Sequence, residues 1–365
     1  MSFPKQSLLL FLFFFIPFQA VAAPHKQLFV SVIQEPPVLD NRGRIEALVE
    51  FARKAGVDTL FVQVYRANKS WFPSQHADQS PYEECLRKVG EDAFGLLIDR
   101  AHAEGIKVHA WVNLLSLSSN KSALLLKKYG PGILTRDLQP KKKMEDYKID
   151  SQYFLEPGDP IVRGELGDVV EDVLAAYPAL DGIQFDYIRY PDRRPYYGYT
   201  ERNMDRYKKA TGRETIEEDR QWKDWKRGQV TELLELLVKR ARVVRPGIQV
   251  SVTGCMPLVR AYDEAFQDWT QWVESGMVDF VTVMSYTVDR AEFQAYIREA
   301  KSRISDPAKI TMAVGAYELL DKQRTFADEL EQCAAEGCGG CAILHYGSLR
   351  ERPALGYILR RAYRR

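Results

Sequence analysis

"DGIQFDYIRYP", residues 181–191, begins as a buried strand and ends in charge. Ile183 and Phe185 alternate with Gln184 and Asp186, and neighbours on a strand face opposite sides. Asp186, Tyr187, Arg189 and Tyr190 crowd the far end. A carboxylate leaving an apolar strand is costly unless it is paired or used. The fold that this stretch implies is one that gathers strand ends into a single site.

The same pattern recurs along the chain: a short β-branched run, a polar turn, then an amphipathic helix. Strands are expected at 28–33, 57–65, 106–112, 181–188, 248–254, 278–286, 309–317 and 341–347. Between them lie apolar stripes at helical spacing: Ile45, Leu48, Val49 and Ala52; Phe94, Leu97, Ile98 and Ala101; Val230, Leu233, Leu234 and Leu237. Alternating strands and helices argue for parallel βαβ units, and near-continuous apolar strands for a sheet covered on both faces. A strand count of eight favours a (β/α)8 barrel over a doubly wound sheet. The glycine-rich phosphate turn of a dinucleotide fold is missing after the first strand, where "QEPPVLDNRG" stands.

Two connections, 113–160 and 189–226, exceed what a simple turn needs and leave the C-terminal ends of strands three and four. Barrel enzymes build their sites on that face. We read residues 24–365 as one domain with long loops.

Residues 1–23 read differently. Lys5 precedes "SLLLFLFFFIPF", and "AVAA" closes the run with small residues, the layout of a secretory signal peptide. The expectation is an exported protein, periplasmic or extracellular, with no membrane span once the signal is removed. Net charge is +1, so no general attraction to nucleic acid or anionic membranes is expected. Five cysteines stand at 85, 255, 333, 338 and 341; "CAAEGCGGC" suggests a metal knuckle, but a zinc site wants four ligands and no second pair lies near. One disulfide among Cys333, Cys338 and Cys341, or buried free thiols, are both compatible with the sequence.

The strand ends present Gln63, Tyr65 and Arg66; His109, Trp111 and Asn113; Gln184, Asp186, Tyr187 and Arg189; Thr253 and Cys255; Tyr286 and Asp289; Tyr317 and Glu318; His345 and Tyr346. Aromatic faces suit the apolar faces of sugar rings, and polar side chains suit hydroxyls. Metal chemistry at these ends is disfavoured, because only His109 and His345 among five histidines fall there. No cofactor or metal is expected.

Asp186 is the first catalytic candidate. Glycosidic cleavage generally calls for a second carboxyl group, for which Glu318 ranks first and Asp289 second, ahead of Glu156 and Asp159. Gln63, Tyr65, His109, Trp111, Asn113, Gln184, Tyr187, Arg189, Tyr286 and His345 are candidate substrate contacts.

"HAWVN", "FLEPGDPIVR", "DGIQFDYIRYP", "WVESGMVDFVTVMSY" and "MAVGAYE" occur in the order seen in the glycosyl hydrolase-like family 10. The chain resembles that family from about residue 28 to 350. The resemblance implies an exported (β/α)8 barrel acting on polysaccharide, with some relatives acting on peptidoglycan glycan strands. The family's strand-four aspartate falls on Asp186. Where many members carry F-D-D-Y, this chain has Phe185-Asp186-Tyr187-Ile188. The expected function is therefore cleavage of a cell-envelope or extracellular polysaccharide. The alternative is a polysaccharide-binding barrel that has lost one catalytic carboxylate.

Overall fold

A computed structural model describes residues 24–191 and 196–363; the segment read as a signal peptide lies outside the described residues. Eight parallel strands follow one another in sequence and in space: β1 His25–Val30, β2 Thr59–Arg66, β3 Lys107–Asn113, β4 Gly182–Asp186, β5 Gln249–Cys255, β6 Phe280–Met284, β7 Ile310–Gly315 and β8 Gly340–Leu344. Each pairs with the next, and β8 returns to β1 with His25 opposite Gly340. The barrel is closed, so no sheet edge is left to attract another strand.

Helices α1 Arg42–Ala55, α2 Ala93–Ala103, α3 Pro160–Ala176, α4 Arg220–Val244, α5 Trp269–Glu274, α6 Arg290–Lys301, α7 Gln323–Ala335 and α8 Pro353–Tyr363 surround it. Their starts are written locally. Asn41, Asp92, Asp159, Asp219, Asp268 and Asp289 each accept a backbone N–H from the first turn of the helix that follows. Among the described residues no helix is long and apolar enough to cross a membrane.

The two faces of the strands differ more than the sequence suggests. Outward residues such as Val62, Val108, Ile183, Phe185 and Val250 join the helices in one large apolar cluster. The inside holds a small aromatic plug, Phe29, Phe61, Trp111, Phe280 and Ala342. Around it stand buried polar groups: Gln27, Gln63, His109, Gln184, Ser251, Thr253 and Thr282. Gly182 belongs to this packing, since a Cβ there would sit 2.4 Å from the His109 ring.

The first and last strands end earlier than expected, as do the fourth, sixth and seventh, at Asp186, Met284 and Gly315. The first strand ends at Val30 rather than 33, because the Val32 N–H turns to the side chain of Gln63 at 3.2 Å. The last ends at Leu344, and Tyr346 opens a short helix, Tyr346–Glu351. All five cysteines are buried free thiols.

The long connection after β3 is tied down at both ends. Its strand Ser116–Ser118 pairs antiparallel with Tyr153–Phe154. "EPGDP" then meets the end of "DYIRYP": the Tyr190 hydroxyl donates to Glu156, and both side chains are fully buried. Burial raises the Glu156 carboxyl above its ordinary value, and the Tyr190 hydroxyl opposes that rise. Asp159 caps α3 through Ile161 N at 2.8 Å and pairs with Arg202 at 2.6 Å. The two sequence motifs therefore form one joint that seats the long loop beside β4.

Candidate active site

Asp186 is the last residue of β4 and is 6% exposed. Oδ2 accepts from Trp111 Nε1 at 3.0 Å and Asn113 Nδ2 at 3.1 Å. Oδ1 accepts from Thr253 Oγ1 at 2.6 Å and from the Tyr187 backbone N–H at 2.7 Å. An ionised carboxylate offers about four lone-pair sites, so these donors engage them all. Tyr187 supplies its N–H from the left-handed region, at φ 53°.

The cage extends across five neighbouring strand ends with one polarity. Ser31, just past β1, donates to Gln63 Oε1 at 3.0 Å, and Gln63 Nε2 donates to Asn113 Oδ1 at 2.7 Å. Asn113 donates in turn to Asp186, with Thr253 arriving from β5. Every amide in the series passes its donor toward Asp186, and aligned hydrogen bonds polarise one another in a low-dielectric interior. Gln63 thus reaches Asp186 through Asn113.

Aromatic and cationic groups surround this anion. The Trp111 ring lies edge-on to Phe29 at 5.0 Å. The Arg189 guanidinium sits 4.8 Å from the centre of the Tyr187 ring, within cation–π range. Burial opposes the charge on Arg189, but Cys255, Tyr187 and Asp186 outweigh it and raise the guanidinium above its ordinary value. Tyr286 packs edge-on to Tyr317 at 5.7 Å. Burial first, and the Asp186 charge second, push the Tyr286 hydroxyl well up, so it is a neutral donor.

Other sequence candidates are placed elsewhere. A register shift between Gln63 and Tyr65 sets Tyr65 opposite Val112, in the outer apolar cluster, with its hydroxyl accepting from Asn68 at 3.2 Å. His109 lies deep in the barrel, edge-on to Phe61 at 5.1 Å, and burial pushes it down to about 4. Gln184, one layer below Asp186, accepts from Ser251 at 3.4 Å. His345 is half-buried just past β8, and burial lowers its pKa. Asp289 is exposed and caps α6 through Ala291 N and Glu292 N. Glu318 is exposed, follows Tyr317 and acts electrostatically on it.

Sequence reasoning passed over Gln267. Buried after β5, it accepts from Cys255 N at 2.9 Å and donates to the carbonyls of Thr253 (2.9 Å) and Ile188 (3.3 Å). It therefore locks the end of β5 to the segment following Asp186. Its only sequence signal is a glutamine in an apolar setting, next to the Asp268 cap.

A closed (β/α)8 barrel with an anchored carboxylate and aromatic groups at its C-terminal mouth defines the class. Solved barrels of carbohydrate-active enzymes share the fold. The catalytic domain of a β-amylase from Paenibacillus polymyxa superposes with a TM-score of 0.59 at 12% identity, covering 90% of this chain and 94% of that one. An endo-1,4-β-D-mannanase from Thermotoga petrophila gives 0.54 at 11% identity, covering 88% of each. The chain belongs to the glycosyl hydrolase-like 10 family, which it matches over residues 31–326. Glycosyl hydrolase DigH of Escherichia coli K12 is 26% identical over 275 residues, 70% of this chain and 58% of DigH. Glycosyl hydrolase YngK of Bacillus subtilis is 22% identical over 261 residues, 66% of this chain and 48% of YngK. The chain thus spans only about half the length of these relatives.

Proposed function

We propose that this protein is a glycosidase of cell-envelope or extracellular polysaccharide, with Asp186 as its essential anion. The observation that carries the reading is the four-donor cage on Asp186. Four donors aimed at the Asp186 carboxyl suit a group that acts as an anion, the nucleophile or the stabiliser of an oxocarbenium-like transition state, better than the acid. Tyr187, Tyr286 and Tyr317 supply ring faces for sugars, and Arg189 supplies a cation beside them.

For the proton-transferring carboxyl, Glu318 is favoured over Asp289. Asp289 already serves the N-terminus of α6, whereas Glu318 adjoins Tyr317, which packs on Tyr286 beside Asp186. Export rests on the apolar N-terminal run and the small residues that close it.

A second reading, a barrel that binds polysaccharide without cutting it, draws on the same cage, since a fully satisfied Asp186 also serves simply to order the mouth. Glycan binding and product release, measured for wild type and Asp186→Asn, separate the two. Loss of product with binding retained supports the glycosidase. Binding with no product from the wild type supports the second reading, and unchanged hydrolysis by Asp186→Asn excludes Asp186 as the catalytic anion.

A further inference from the structure

A different group of side chains converges on the flank of the barrel. His76, in the loop after β2, directs Nδ1 to Glu165 Oε2 at 3.2 Å and to Asp168 Oδ2 at 3.6 Å, both on α3. Among the described residues these are the one set of three His, Cys, Asp or Glu ligand atoms lying within 4.8 Å of each other.

We propose that His76, Glu165 and Asp168 form a binding site for one divalent transition-metal cation of the zinc type. The spacing supports it. Bonds of about 2.0–2.2 Å in a tetrahedron put ligand atoms about 3.3–3.6 Å apart, and the two histidine-to-carboxylate distances are 3.2 and 3.6 Å.

The oxygens are also divided in the way a metal site needs. Glu165 gives Oε1 to Lys128 Nζ at 2.6 Å and to the Tyr129 hydroxyl, leaving Oε2 for the shared point. Asp168 gives Oδ1 to Arg240 and turns Oδ2 inward. Outer partners that orient one oxygen while the other ligates are the usual second layer of a metal site. Gly167 makes this possible on α3, because a Cβ there would lie 2.6 Å from the Arg240 side chain that crosses it. The His76 backbone is seated too: its main-chain N–H donates to Ser74 Oγ at 3.1 Å, and Ser74 Oγ donates to Asp172 at 2.6 Å.

Charge favours a cation. Glu165, Asp168, Glu171 and Asp172 face Lys128 and Arg240, four negative charges against two positive, before His76 is counted. His76 is 31% and Asp168 35% exposed at the side chain, so an ion can enter and keep a water as fourth ligand. The sequence concealed the site because His76 and Glu165 stand 89 residues apart.

Zinc(II) titrated calorimetrically into the chelator-stripped full chain tests this. Wild type should take up one equivalent that His76→Ala and Asp168→Asn bind at least ~10-fold more weakly, the scale of losing a ligand or its support. His102→Ala, which removes a surface histidine paired with Asp181 at 2.8 Å, should bind like wild type. Absence of stoichiometric uptake, or uptake the same in wild type and both site variants, overturns the proposal and leaves an ion-pair cluster. Far-ultraviolet circular dichroism of each variant confirms that a lost equivalent is not a lost fold.

Discussion

Asn113 Nδ2 donates to Asp186 Oδ2 at 3.1 Å while Asn113 Oδ1 accepts from Gln63 at 2.7 Å. This amide is the only link in the series that touches both the anion and its support, and its orientation is set by Gln63. Asn113→Ala should remove a donor from a buried charge and free Gln63 at once. An activity loss of roughly 10²-fold is expected, the scale of losing one preorganised donor. Stability should fall by about 1–3 kcal/mol for the groups left unsatisfied. Steady-state kinetics and a denaturant melt on the same sample check both.

The joint between Glu156 and Tyr190 makes a different claim, about folding rather than chemistry. Tyr190→Phe keeps the ring, which packs edge-on to Phe266 at 5.6 Å, and deletes only the hydroxyl. The buried carboxyl of Glu156 then loses one donor and keeps the Gly158 N–H at 3.3 Å, and urea denaturation should report a loss of about 1–3 kcal/mol. A change below ~0.5 kcal/mol, typical of an exposed position, would show that the joint carries no weight.

How far the sequence foretold this architecture depends on which contacts are local. The eight strands were legible because β-branched runs alternate with apolar stripes at helical spacing, and both patterns are local. Asp289 was ranked as a catalytic carboxyl instead of a cap, although Asp289-Arg290-Ala291-Glu292 has the spacing of a helix start and the carboxylate caps α6. Tyr65 was not legible, because the register shift that turns it outward depends on how β2 lies against β3. His109 and Gln184 were placed on the correct strands, but depth inside a barrel is set by stagger between strands, which no single strand encodes. Gln267 joins β5 to the β4 loop only after both are in place.

Glu329 on α7 gives a pH dependence. It is fully buried, and neither carboxyl oxygen has a hydrogen-bond partner among the described residues. Burial pushes it up to about 8 from an ordinary 4.5. The folded chain therefore holds this proton more tightly than the unfolded chain, and stability present below pH 4.5 is lost as pH rises toward 8. The loss by pH 7 is on the order of 3 kcal/mol. Melting temperature should fall between pH 5 and 8 more steeply for wild type than for Glu329→Gln, which stays neutral throughout. Parallel curves for the two proteins would show that Glu329 is not the group responsible.

Glu318 and Asp289 separate by experiment as they do by position. Asp289→Ala removes acceptors from Ala291 N and Glu292 N, so it should cost about 1 kcal/mol of stability. Turnover should stay near that of wild type, since the carboxylate is engaged by α6. Glu318→Gln keeps the size of an exposed side chain whose backbone N–H holds Gly315 O at 2.9 Å, so its stability should hardly move. If Glu318 transfers the proton, kcat should fall by about 10²–10⁴-fold, the usual contribution of general acid–base catalysis. Substrates with a more acidic leaving group should lose less, because they depart without protonation. The opposite pattern, with activity lost in Asp289→Ala and kept in Glu318→Gln, would move the acid to the start of α6 and require its cap to open during turnover.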